Sequence, residues 1–182
     1  MSIQNPVKRL FMTISQGVYV IGVAEDDRRN AFTASSVMQV SLNPPMLALA
    51  VNPHNASFPM LVAGGIFSVT VLRNDQHALA DFFGTHSGRD EDKLAAVPWH
   101  TSPSGAPVLD DGLSYLDCRV LAKHPAGDHV VMVAEVTGGD FLIDWRLKGA
   151  HPLRYDQLGD MDGSDELLPP QLGSGETPSG RK

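Results

Sequence analysis

One cysteine, Cys118, stands among the 182 residues, so no internal disulfide can brace the chain and burial must hold its fold together. A lone thiol fits a reducing compartment, and the chain reads as cytoplasmic. The stretch around it, 113–120, has strand character, where a buried inert thiol is the default reading and a redox thiol the lesser one. Long apolar runs are missing as well. The most apolar stretch, from residue 10 to 24, follows Lys8 and Arg9 but is interrupted by Thr13, Ser15, Gln16 and Gly17. It therefore reads as neither a membrane span nor a cleavable leader. Basic residues are in deficit, 14 against 21 acidic, for a net charge of −7, which disfavours nucleic acid and anionic membranes as partners. The histidines (His54, His77, His86, His100, His124, His129 and His151) are scattered and form no HExxH or other ligand set, so no metal is expected. There is no GxSxG elbow, Walker loop or GxGxxG fingerprint, and Asp110-Asp111 reads as a turn rather than a catalytic carboxylate pair.

What is present suits one globular domain: 42% hydrophobic and 19% charged residues. Val7, Leu10, Phe11 and Ile14 recur at helical spacing, and Gly17 ends that helix. Strand-like runs follow at 18–23, 32–42, 46–51, 66–72, 113–121 and 129–137, with a charged turn over 25–30. Two short helices are expected between them. One covers 57–62, with Pro59 in its first turn; the other covers 76–83, capped by Asn74 or Asp75. A doubly wound parallel sheet needs a helix between most strands, so the pattern points to a mainly β fold, an antiparallel barrel with a few helices over its openings. Residues 1–158 form this domain. From 159 to 182 the chain turns Gly-, Pro- and acid-rich, with Asp160, Asp162, Asp165, Glu166 and Glu176 outnumbering Arg181 and Lys182. That segment reads either as a loose tail or as an arm packing Leu167, Leu168 and Leu172 on a neighbouring subunit.

Four stretches carry chemistry. Thr33, Ala34, Ser35 and Ser36 set small, hydroxyl-bearing residues in a strand, where a flat ring can approach backbone amides; an edge strand is the plain alternative. Asn52-Pro53-His54-Asn55-Ala56-Ser57 leads into a helix whose free N–H groups and Ser57 hydroxyl suit a phosphate, or simply cap the helix. The loop opened by Phe83, with Ser87, Arg89 and Lys93, either closes a phosphate pocket or is a solvated loop. A tight turn delivers Asp128 and His129 to the start of a strand, and a histidine there can hydrogen-bond a ligand or carry a proton.

In order and spacing, these stretches resemble the flavin reductase-like family with the FMN-binding split β-barrel. The likeness rests on Phe32-Thr33-Ala34-Ser35-Ser36, Val40-Ser41-Leu42-Asn43-Pro44-Pro45, Asn55-Ala56-Ser57-Phe58-Pro59 and Phe67-Ser68-Val69-Thr70-Val71-Leu72. It continues through Val97-Pro98-Trp99, Gly105-Ala106-Pro107-Val108-Leu109 and Gly127-Asp128-His129. The resemblance covers about residues 8 to 155 and is nearest to the short reductase components of two-component flavin monooxygenases. It implies a Greek-key antiparallel barrel, a homodimer with flavin near the subunit interface, FMN (or FAD) as cofactor, and NADH or NADPH as co-substrate. It also implies that Thr33, Ala34, Ser35 and Ser36 line the isoalloxazine and ribityl chain. Asn52, Ser57, Phe83, Ser87 and Lys93 fall on the cofactor's phosphate side, and Asp128 with the catalytic His129 beside the nicotinamide face. Asn30 departs from the family, standing where many relatives have Gly, and the 89–93 loop is longer. Two other outcomes stay open: a tightly bound FMN electron carrier, and a reductase of another acceptor such as a metal or corrin.

Overall fold

The computed structural model describes residues 10, 11, 13–144, 146 and 149–158. Leu10 and Phe11, from the expected N-terminal helix, are helical and exposed; Val7 lies outside the described residues, as does the whole acidic segment 159–182. Among the described residues, nine strands form two sheets. The larger contains β1 (Tyr19–Glu25), β2 (Arg28–Ala34), β3 (Val37–Leu42), β4 (Pro45–Val51), β5 (Ile66–Val71), β8 (Ser114–Ala126) and β9 (His129–Phe141), in the order β2-β1-β5-β8-β9-β4-β3. A small hairpin of β6 (Trp99–Thr101) and β7 (Pro107–Leu109) forms the other. Every pairing is antiparallel, and β1–β5, β5–β8 and β4–β9 join strands distant in sequence through long returns.

One feature of this order shapes the molecule. The edge strands β2 and β3 are consecutive in the chain and separated only by Ser35 and Ser36. Three Cα steps span at most about 11 Å, so the seven-stranded sheet has to curl until its edges nearly meet. The edges do not pair with each other. Instead the Val37 N–H donates to the Ser35 carbonyl and the Ala50 N–H to the Ser36 carbonyl, which ties the link to β3 and β4. The result is a barrel split along one seam, with two hydroxyl residues in the seam.

Alternation along the strands builds two cores. Ile21 and Val23 of β1 point inward with Phe32, Leu49, Phe67, Val69 and Met132. Val18 and Val20 point the other way, under α2 (His77–Thr85), and meet Leu72, Ala80, Phe83 and Leu153. Each fully buried side chain of this size contributes roughly 1.5–3 kcal/mol. The short α1 (Phe58–Gly64) covers the other end of the barrel, sealing it with the fully buried Leu61. At Gly22 the β6–β7 hairpin crosses β1 so closely that a Cβ would stand 1.9 Å from the Pro107 carbonyl oxygen.

Several expectations are corrected. The turn over 25–30 narrows to Asp26 and Asp27, because a two-residue hairpin with positive φ (52° at Asp26) matches the strand twist, and Arg28–Asn30 continue the ladder. The run 32–42 is two strands, broken at the seam. Strand β8 runs on to an exposed end at Ala126, paired with the start of β9, and β9 runs on to an exposed end at Phe141, paired with the start of β8. Helix α2 is capped by Gln76 rather than Asn74 or Asp75: Gln76 Oε1 accepts from the Arg73 N–H, while Asp75 is drawn off to the Arg73 guanidinium. Cys118 is fully buried, and burial beside Asp117 pushes its thiol up to about 12, the inert state.

Candidate flavin site

The seam opens into a cleft of about 250 Å³. Thr33, Ala34, Ser35 and Ser36 line it together with Asn52, Asn55, His129 and Tyr155. Small side chains at the seam keep the backbone within reach of a planar guest. Thr33 contributes shape more than a donor, because its hydroxyl donates to the Ala80 carbonyl at 2.6 Å and fastens β2 to α2. The two asparagines are preset by their own turns. Asn52 Oδ1 accepts from the His54 N–H at 2.9 Å, and Asn55 Oδ1 from the Ser57 N–H at 2.8 Å. Both carbonyls are thus occupied, which leaves the amide NH₂ groups as donors.

A second, polar cavity of about 180 Å³ continues from the first, sharing Phe32, Thr33, Asn55 and Gly84. Ser57, Phe83, Ser87 and Lys93 line it. Ser57 is the N-cap residue of α1, 1% exposed, and its side chain makes no capping bond to the helix. Lys93 is 3% exposed, with its ammonium donating to the carbonyls of Phe83 (3.2 Å) and His86 (2.9 Å) at the C-terminus of α2 and lying 5.5 Å from the Phe83 ring centre. No carboxylate among the described residues pairs with it. Burial pushes the ammonium down to about 8, opposed in part by the charge of Glu91. A buried cation held by two carbonyls retains one donor and most of its charge for an anion.

Beside the first cleft, which His129 lines, Asp128 Oδ1 accepts from His129 Nδ1 at 2.8 Å. An ionised carboxylate only accepts, so the proton sits on Nδ1 and Nε2 is the acceptor in the neutral ring. The imidazole, part of the cleft's lining, is about 38% exposed.

The structure therefore brings the sequence-expected residues into two joined cavities, with Asp128 behind His129. Arg89 is the exception. It lies outside the polar cavity, and its Nη2 donates to the His54 carbonyl at 3.1 Å. Asn30, the departure from the family pattern, accepts the Ala31 N–H on its own side-chain oxygen and packs against Gly88. Sequence reasoning passed over Asn55, Gly84 and Tyr155 as site residues. Asn55 had a signal, since an Asn two residues before a helix cap forms a turn that aims its amide. Tyr155 had none, because long-range bridges (Gly17 with Arg154, Arg73 with Pro152) carry it to the cleft. Among the described residues no His, Cys, Asp and Glu group could hold a metal, and no helix is long and apolar enough to cross a membrane.

A split antiparallel barrel whose seam cleft joins a polar cavity holding a buried ammonium defines a class of domain, and the chain belongs to it: residues 11–157 match the flavin reductase like domain family. It is similar to the FMN reductase (NADH) RutF of Methylorubrum extorquens, 34% identical over 123 residues, covering 68% of this chain and 60% of that protein. It is also similar to the reductase subunit HsaB of a flavin-dependent monooxygenase from Rhodococcus jostii, 33% identical over 121 residues (66% of this chain, 60% of that one). Among solved structures, nitrilotriacetate monooxygenase component B from Mycobacterium thermoresistibile superposes with a TM-score of 0.74 at 27% identity, covering 83% of this chain and 81% of that one. The chain spans about three fifths of the length of the curated relatives it matches.

Proposed function

We propose that this protein is an NAD(P)H-dependent flavin reductase that holds FMN, or FAD, in the seam cleft and supplies reduced flavin to a partner monooxygenase. The observation that carries the reading is the joining of the two cavities: a slot lined by small residues runs into a pocket where a buried ammonium has no carboxylate partner among the described residues. A planar, phosphorylated ring system has that shape and that charge distribution. Bound flavin supplies the hydride acceptor for a reduced nicotinamide.

The protein's own residues orient and desolvate. Ala34, Ser35 and Ser36 present backbone and hydroxyl groups along the ring edge and the ribityl chain. Asn52, Ser57, Ser87 and Lys93 take the phosphate, with Phe83 walling that pocket. Asp128 fixes the tautomer of His129, which positions the nicotinamide at the open side. Hydride transfer between stacked rings needs no obligatory base, so positioning is the main contribution.

The working unit in this reading is a cytoplasmic homodimer. Met38, Val40 and Leu42 stand at alternate positions of β3, all exposed, with Leu42 82% so. An apolar edge beginning at Met38, two residues beyond Ser36, suits a second copy that closes over the flavin. Steady-state NADH oxidation with free FMN as acceptor, followed by dialysis of the loaded protein, tests the reading. Turnover with exchangeable flavin supports it. A tightly yellow protein without turnover favours the electron carrier, and turnover only with a metal or corrin acceptor favours the third assignment.

A further inference from the structure

The end of the barrel opposite α1 holds a separate cavity. Helix α1 joins the end of β4 to the start of β5, whereas the start of β4 and the end of β5 line this hollow of about 440 Å³. Tyr19, Val37, Leu116 and Val136 add to its wall, and among the described residues no charged side chain lines it. It shares no lining residue with the flavin cleft or with the polar cavity. Met38, Val40 and Leu42, the edge assigned above to a second copy, are not in its lining either, so a copy seated on that edge does not fill it. An apolar hollow of this size marks a place where something binds.

The chain carries one apolar stretch that the fold and the flavin site leave unused. Leu167-Leu168-Pro169-Pro170-Gln171-Leu172 is uncharged, within an otherwise acidic segment, and lies beyond the family domain, which ends at residue 157. Two prolines favour an extended backbone and remove two N–H groups that an apolar cavity could not satisfy. Reach is assured by chain length. Pro152 lines the cavity, and six Cα steps to Leu158 span at most about 22 Å, while the nine steps from Leu158 to Leu167 can span about 30 Å. Such a tether holds the stretch at an effective concentration on the order of 1 mM.

We infer that residues 167–172 of the same chain plug this end of the barrel, their leucines seated in the cavity and the flanking acidic residues left in water. The neutral lining fits a neutral segment: it would give a charged occupant no partner. The inference stands apart from the flavin reading. It does bear on the seam, because Val37 lines the cavity while its N–H donates to the Ser35 carbonyl, so a seated plug packs against the strand that starts one residue beyond Ser36.

Disulfide trapping in the full chain tests this. Cys118 is buried and inert, so introduced thiols report alone. Ser41→Cys, in the cavity lining, and Met38→Cys, at an exposed position of the same strand, are each combined with Leu168→Cys. A tether without a seat reaches both positions at similar rates. A seated one should close the Ser41→Cys, Leu168→Cys bridge at least about tenfold faster, and within one chain. In a second arm, the full chain carrying Leu167→Ser, Leu168→Ser and Leu172→Ser should bind the apolar dye anilinonaphthalene sulfonate with several-fold higher fluorescence, since the vacated cavity admits it. Equal bridging rates overturn the inference. Bridges that join two chains on a non-reducing gel give the cavity to a neighbouring subunit's segment and overturn it as well. So does a triple variant whose dye fluorescence matches the parent's.

Discussion

Replacing Lys93 by methionine separates a structural role from a ligand-binding one. The ammonium's fall from an ordinary 10.5 to about 8 means that holding it charged at neutral pH costs about 3 kcal/mol. Methionine removes that cost and keeps most of the volume. It also leaves the Phe83 and His86 carbonyls without their donor, a loss of about 1–3 kcal/mol each where water cannot replace it. These terms oppose one another, so the ligand-free variant should melt within a few degrees of the parent. FMN binding has no such compensation. Loss of a charge-assisted contact to phosphate, about 1.5–3 kcal/mol, should weaken it roughly 10- to 100-fold. The sign with pH follows from the lowered value. Below pH 8 both the folded and the unfolded chain carry the proton and the burial cost is present in full. Between about 8 and 10.5 the unfolded chain holds more protons, so the parent gains stability relative to the variant as pH rises. Over the same interval its FMN affinity should fall. Thermal melts and flavin titrations of both proteins from pH 7 to 10 provide the check. Unchanged FMN affinity together with a lower Tm would make Lys93 a strut for the end of α2 and refute the reasoning.

Three further perturbations follow from the geometry. His129→Ala should slow flavin reduction in rapid mixing while leaving flavin affinity nearly unchanged; equal reduction rates would remove His129 from the reaction. Leu42→Glu, on the apolar edge of β3, should convert dimer to monomer in sedimentation at micromolar concentration, and a dimeric variant would move the interface elsewhere. Gly22→Ala forces a methyl against the Pro107 carbonyl and should cost about 1–3 kcal/mol in denaturant unfolding, so an unchanged midpoint would contradict the close crossing.

The barrel was legible where burial leaves a trace in the sequence. Strands β1, β4 and β5 are covered on both faces or alternate cleanly, and their apolar runs announce them. The exposed end of β8 carries Lys123, His124 and Pro125, which leave no periodic pattern. The β6–β7 hairpin hides in a stretch rich in Ser, Pro and Gly; it is held by buried Asp117, which accepts from Ser102, from the Ser104 hydroxyl and from the Ser104 N–H. The break at Ser35 and Ser36 is invisible to propensity, because residues on both sides favour strand; closure of the sheet creates it. The seam and loop residues of the site could be named because small, polar and turn-forming types cluster there. Tyr155 could not: it reaches the cleft through the bridges of Arg154 to Gly17 and of Pro152 to Arg73, which span 137 and 79 positions.

Anaerobic titration of the flavin-loaded protein with NADH, followed at the flavin absorbance band, addresses the central claim most directly. The band should bleach stoichiometrically with added NADH and return on admission of oxygen. A bound flavin whose band stays unchanged under excess NADH and NADPH would contradict the account.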